Sequence, residues 1–261
     1  MKHITRKFLF QEKNLPIPKD LSKKVEDIIH HVDRRDNKTL KSKKNMSVFM
    51  KTVEGEYLMG FIHNYNGIHT PVPLPDFTLI HFDFAHNSNR ERKVKEKELF
   101  GKLIAPELEV TEDVTNEIYA YYGYASSCII SLFTSIESFV NHIIPSDKPF
   151  MKELNNKTEL YNKSQIQEAL PFWDKLKLVL PYYYGKNFFL NPTPTNQYIT
   201  NLKNLRDEII HTKSEIDYSK QQALLKSVLT FKYDQTFEAV AKFMNFYRPE
   251  YITECDCGAD F

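Results

Sequence analysis

Hydrophobic and polar positions follow two different rhythms along this chain. Between Leu21 and Val32 the apolar residues Leu21, Val25, Ile28 and Ile29 recur at helical spacing, which predicts a first amphipathic helix. The runs SVFMKTV, EYLMGFIH and FTLIHFDFAH are short, rich in β-branched and aromatic residues and separated by turn signals, so each reads as a strand. Asn66-Gly67 is the strongest turn signal, because both residue types accept the positive φ of a tight hairpin. Pro71, Pro73 and Pro75 predict an extended connector with few backbone donors. Residues 1–110 therefore read as a small α+β segment, and nothing in the pattern gives it a role.

From Asn89 to Lys97 the charges alternate in sign, as on an exposed helical face or in a linker running toward Pro106. The rhythm then changes. Thr111 is placed to cap a helix whose first turn carries Glu112 and Asp113, where the helix dipole favours negative charge. A wide apolar stripe through Ile118, Ile129, Leu132, Phe133, Ile136, Phe139, Val140, Ile143 and Ile144 predicts a long core helix, which could also serve as a dimer seam. A shorter helix is expected over Phe172–Leu180, anchored by Trp173 and Leu176 and stopped by Pro181. After a loop containing Gly185 and Asn191–Pro194, Thr195 is expected to cap a helix with Tyr198, Leu202, Leu205 and Ile209 on one face. Two more follow, one through Ala223, Leu224 and Val228, the other from Asp234 as cap to Tyr247, with Pro249 closing it before a polar tail. The expected fold is mainly α, with a helical domain over 111–248 and a tail over 249–261.

Composition narrows the class without naming a function. Hydrophobic residues at 41% and charged residues at 26% are ordinary globular usage. A formal charge of +1 supplies no overall field toward nucleic acid or an anionic membrane, so any polyanion site must be local. Three cysteines form no disulfide framework and suit a reducing compartment. The short apolar run at the start is no signal peptide and no segment reaches the ~20 apolar residues that span a bilayer, so a cytoplasmic protein without a membrane partner is expected. The basic run Arg34, Arg35, Lys38, Lys41, Lys43 and Lys44 reads either as a phosphate-binding patch for RNA or as a solvated loop.

The residues that carry chemistry lie near the end of the helix expected after Thr195. Asp207 and His211 are four apart and share a surface, and Arg206 adjoins them. An imidazole can take the proton of a ribose 2′-hydroxyl while a guanidinium stabilises charge on the phosphate oxygens, so RNA cleavage here needs neither a metal nor a cofactor. Positions five apart diverge by roughly 140° around a helix, so Arg206 and His211 of one chain do not readily grip one atom. A twofold dimer would bring two such pairs around one phosphate.

Leu202–His211, LKNLRDEIIH, resembles the Arg-x4-6-His motif of the HEPN family (higher eukaryotes and prokaryotes nucleotide-binding domain), with Asp207 in the polar position after the arginine. The upstream SLFTSIESFVNHII resembles that family's earlier core helix, with Glu137 and Asn141 matching an acidic and a polar residue one turn apart. The resemblance covers roughly 111–247 and does not reach residues 1–110. It implies a homodimeric, metal-independent endoribonuclease acting on single-stranded RNA in a toxin, defence or RNA-processing setting, with an antitoxin or other protein as a further partner. The alternative it implies is the family's other habit, a non-catalytic dimeric scaffold or nucleotide-binding module, while the presence of both Arg206 and His211 favours activity. In the first case His211 is the acid/base, Arg206 the phosphate contact, Asp207 the orienting group, and Glu137 and Asn141 the support.

Two further readings stay open. His63, His69, His81, Asp83 and His86 are metal-ligand types, and strand alternation would put His81 and Asp83 on one face, although no metalloenzyme spacing accompanies them. Tyr182, Tyr183 and Tyr184 suit either base stacking or packing.

Overall fold

A computed structural model describes residues 3–13, 37–42, 47–104, 109–211 and 218–256. The helix expected over Leu21–Val32 lies outside the described residues, as do Arg34, Arg35, Lys43 and Lys44. The protein is mostly helical with a small strand segment. It divides into two compact units, Arg6–Leu79 and Met1–Thr5 with Ile80–Phe261.

The smaller unit is an antiparallel sheet of β1 (Gln11–Glu12), β2 (Ser47–Lys51), β3 (Tyr57–Tyr65) and β4 (Ile68–Pro73), accompanied by the short helix α1 (Asn37–Ser42). β3 is central: β2 pairs with it along one edge, and β1 and β4 share the other, at its start and its end. Leu40, Val48 and Ile62 form the core with Met50 packed against them. The expected hairpin at Asn66-Gly67 is present, with φ of 50° and 84°. Pro71 and Pro73, expected in a connector, instead stand in β4, which pairs only with β3 among the described strands, and such an edge tolerates missing donors. Gly60 is required by close approach, since a Cβ there would lie 2.4 Å from the Val72 carbonyl oxygen and 2.5 Å from Met50 Cε.

The third expected strand, FTLIHFDFAH, is wrong. These residues open α2 (Phe77–Leu103), which runs on through the whole stretch of alternating charge. Asp76 starts it by accepting a hydrogen bond on Oδ1 from the Thr78 amide at 2.8 Å. Beyond the apolar Leu79, Phe82 and Ala85 the buried stripe continues as Ser88, Asn89 and Arg92 before returning to Leu99. Its middle is therefore polar, which conceals the helical period.

In the larger unit α3 (Glu112–Ile143) is the axis, capped by Thr111 as expected and buried along Tyr121, Ala125, Cys128, Ile129, Leu132, Phe133, Ile136, Phe139 and Val140. Burial pushes the Cys128 thiol up to about 12, which keeps it inert. A β-hairpin absent from the expectations, β5 (Phe150–Leu154) and β6 (Lys157–Tyr161), leads to α4 (Lys163–Ala169), whose Asn162 and Gln165 form a capping box.

The helix expected to stop at Pro181 does not stop there. α5 (Phe172–Asp174) passes through a π-helical turn, Lys175–Val179, into α6 (Leu180–Tyr184), with Pro181 in the first turn of α6. The Leu180 amide bonds back to Lys175 rather than to residue 176, and this widened turn accommodates the proline that a regular helix would resist. Gly185 ends the run in the left-handed region at φ 64°.

α7 (Pro194–Ile210) begins one position after Thr193, whose side chain accepts from the Asn196 amide at 3.2 Å, so the cap is Thr193 and not Thr195. Pro194 at the first helical position needs no donor, which favours the earlier start. α8 (Ser219–Thr230) and α9 (Tyr233–Tyr247) complete the unit, and α7 packs on both α9 and α3. Asp234 lies inside α9 rather than capping it, and binds Lys93 Nζ at 2.8 and 2.9 Å. The expected polar tail is partly core: Tyr251 and Ile252 are buried, and Glu254 pairs with Ile4.

Candidate functional site

α7 buries Ile199, Leu202 and Leu205 and packs on both α3 and α9, and that buried face fixes where its polar residues emerge. Arg206, next to the buried Leu205, turns toward α3. Its guanidinium carbon lies 4.9 Å from the Phe133 ring centroid, a cation–π contact between α7 and α3. Nη1 donates to Asp207 Oδ1 at 3.0 Å, and Nη2 lies 3.8 Å from Glu137 Oε2 on α3. The fold thus brings Arg206, Asp207 and Glu137 together.

Asp207 is engaged on both oxygens, since Lys203 Nζ binds Oδ2 at 2.5 Å from one turn earlier. Burial raises its carboxyl, but Lys203 and Arg206 outweigh that and hold it below the usual carboxylate range. Glu137 goes the other way. Burial pushes its carboxyl up, opposed by Arg206 and by Lys175, so it holds its charge less firmly than Asp207 does.

His211 sits at the C-cap of α7, its amide donating to the Asp207 carbonyl at 2.9 Å and its side chain exposed. With Asp207, Glu208, Lys220, Gln221, Ala223 and Leu224 it lines a cleft of ≈ 530 Å³ between α7 and α8. Asp207 is the residue common to both groups: its carboxylate bonds inward to Arg206, and it borders the cleft that His211 faces. Arg206 itself does not line that cleft. Within one chain the two motif residues therefore point to different sides of α7, in keeping with their five-residue spacing.

Asn141 stands one turn beyond Glu137. Its carbonyl accepts from Gln167 Nε2 at 3.1 Å, and its side-chain oxygen is buried without a hydrogen-bond partner. Lys175, at the start of the π-helical turn, donates to the Gln167 carbonyl at 2.6 Å. Burial lowers its ammonium, and Glu137 opposes that. Sequence reasoning missed Lys175, because only the widened turn decides which way its side chain faces.

The remaining residues singled out in the sequence belong to the smaller unit or serve the fold of the larger one. Lys38 and Lys41 are exposed on α1 in the smaller unit, where Lys41 lines a cleft of ≈ 390 Å³ with Asn37, Ile62, Asn64, Gly67 and His69. His69 is buried there with Nδ1 2.8 Å from Asn37 Oδ1. His81 and Asp83 share no strand face, because they lie on α2, where residues two apart point to nearly opposite sides. Among the described residues no group of three or more His, Cys, Asp or Glu side chains is arranged to hold a metal ion. Tyr184 donates to the Ile143 carbonyl at 2.7 Å, tying α6 to the end of α3, and Tyr183 donates to the Lys148 carbonyl at 2.8 Å in the bend that leads to β5, which commits both to packing. Tyr182 packs edge-on against Phe150. No described helix is long and apolar enough to cross a membrane.

The chain matches no family model, no curated protein and no solved structure.

Proposed function

We propose that this protein is a metal-independent ribonuclease of HEPN type, in which His211 exchanges protons with the RNA 2′-hydroxyl and leaving group while Arg206 stabilises charge on the phosphate. The observation that carries the reading is the arrangement at the end of α7, an exposed histidine at the mouth of a cleft beside an arginine already oriented by Phe133, Asp207 and Glu137. A cation fixed before substrate arrives costs little reorganisation in the transition state. Attack by the 2′-oxygen leaves a 2′,3′-cyclic phosphate and a free 5′-hydroxyl. Because Arg206 and His211 of one chain face different sides, the reading requires a homodimer whose two α7 termini share one strand of RNA. Lys38 and Lys41, with Arg34 and Arg35, are assigned to further RNA contacts. A cytoplasmic toxin or defence role, with an antitoxin-like partner, follows from the motif resemblance alone.

The test is cleavage of single-stranded RNA in EDTA by the purified full chain. Products carrying cyclic phosphate, lost in His211→Ala, support the reading. Equal activity in the wild type and His211→Ala removes it.

A second reading is favoured by one observation. Arg206 stands between two carboxylates, and the cleft below His211 carries Asp207 and Glu208 against Lys220, a poor electrostatic match for a phosphate backbone. These features suit a non-catalytic dimeric scaffold built on the same helices. A stable dimer that neither binds nor cuts RNA would identify it.

A further inference from the structure

The two carboxylates beside Arg206 are held very differently. Asp207 accepts a hydrogen bond from Nη1 at 3.0 Å and a second from Lys203. The Glu137 oxygen stays 3.8 Å from Nη2, beyond hydrogen-bond distance, on a side chain that is 39% exposed. An ion pair this long is weak, and an anion able to make short, charge-assisted bonds to a guanidinium outcompetes it.

Glu137 is also attracted by a second cation, Lys175. The π-helical turn presents Lys175 to the same end of α3, tethered through the Gln167 carbonyl while the Gln167 side chain bonds to the Asn141 carbonyl, one turn beyond Glu137. Of the charges around Lys175, Glu137 is the one that offsets the burial of its ammonium. The carboxylate is thus drawn by a cation on α7, whose Nη2 it faces at 3.8 Å, and by a cation on the π-helical turn.

We propose that Glu137 is a displaceable counter-anion: a phosphate or phosphodiester group binds Arg206 by taking the place of the Glu137 carboxylate, which Lys175 then holds. The inference rests on the reading of Arg206 as a phosphate contact and adds to it a reason for weak binding of stray anions. Without ligand the site is masked by its own glutamate. With ligand the charge is passed to Lys175, and no carboxylate is left unpaired beside the bound phosphate. Lys175 is in this sense a positioning residue that acts through Glu137.

The experiment is a binding titration of the full chain with a short fluorescent 2′-O-methyl oligonucleotide, which lacks the attacking hydroxyl and so reports binding alone. Glu137→Gln should tighten the complex about fivefold, the scale of one partly exposed charge contact. Lys175→Met should weaken it by a similar factor in the wild-type background and have no effect in the Glu137→Gln background. A lysine that merely attracts RNA would weaken binding equally in both backgrounds. Circular dichroism checks folding, and Glu137→Ala replaces the glutamine variant should that fail to fold. Unchanged or weaker binding on neutralising Glu137, a Lys175→Met effect that persists without Glu137, or absence of binding in every variant each overturns the proposal. Cleavage of unmodified RNA in EDTA, run in parallel, decides the nuclease reading separately: binding that follows this pattern without cleavage leaves the counter-anion standing and removes the nuclease.

Discussion

Arg206 sits over Phe133, its guanidinium carbon 4.9 Å from the ring centroid, and this contact ties the motif helix to the core helix α3. The arginine therefore has a structural load besides any chemistry. Arg206→Ala should lower stability by about 1–2 kcal/mol, from loss of the cation–π contact and of the bridge to Glu137. RNA cleavage should fall by a further factor on the order of 10² to 10³. Urea unfolding and a cleavage assay at matched folded fraction separate the two effects. Arg206→Lys keeps the charge but not the delocalised guanidinium with its forked donors, so it should recover stability only in part.

His211 has no such load. Its side chain is exposed at the helix end, so His211→Ala should leave the unfolding midpoint within about 0.5 kcal/mol of wild type. Cleavage should fall by at least about a hundredfold. A large loss of stability in this variant would contradict the exposed placement.

Acid unfolding should distinguish Asp207 from Glu137 by sign. The folded-state carboxyl of Asp207 lies below its usual value, so the stability it contributes is present above the ordinary aspartate range near ~3.9 and is lost as pH falls through the lower folded value. Glu137 is raised, so its contribution is present below the ordinary glutamate range near ~4.3 and is lost as pH rises through the folded value. Asp207→Asn should accordingly flatten the acid limb of the stability profile. Glu137→Gln should remove a loss on the neutral side of that limb. Urea midpoints measured from mildly acidic to neutral pH read both slopes.

Arg92 offers a test of the packing. It is buried beneath Tyr233, with its guanidinium carbon 4.0 Å from the ring centroid, and it binds Glu96 at 2.8 Å and Asn89 at 2.9 Å. Arg92→Ala should cost about 3 kcal/mol by leaving these partners unmatched, read as a drop in the urea midpoint.

In the smaller unit Gly60→Ala should disorder the sheet, because the added methyl meets the Val72 carbonyl and Met50 from opposite sides of β3. Amide exchange should rise across β2–β4 while the helices of the larger unit keep their protection, since the two units are separately compact.

Much of the helical unit was legible because its segments obey one rule each. α3 combines a capping threonine, an acidic first turn and an unbroken apolar stripe, and the spacing of Glu137 and Asn141 on it survives into the structure. α2 was not legible, because the alternation in FTLIHFDFAH imitates a strand and the buried Asn89 and Arg92 interrupt the apolar period where it should confirm a helix. Asp76 after Pro75 was the available signal. The Thr193 cap was obscured by the competing Thr195, and Pro181 read as a stop because a widened turn leaves no mark in composition. For the site, the motif spacing anticipates that Arg206 and His211 diverge, whereas the loose hold on Glu137 and the approach of Lys175 depend on tertiary packing.

The π-helical turn at Lys175–Val179 works as a phase shifter. One extra residue in the loop of hydrogen bonds turns everything before it by about 100° relative to everything after it. Leu176, Val179 and Leu180 can then seal the interior while Lys175 is swung toward the polar end of the core helix. Removing a single residue from this stretch would give a more regular helix and leave its lysine facing elsewhere, so local irregularity here sets direction.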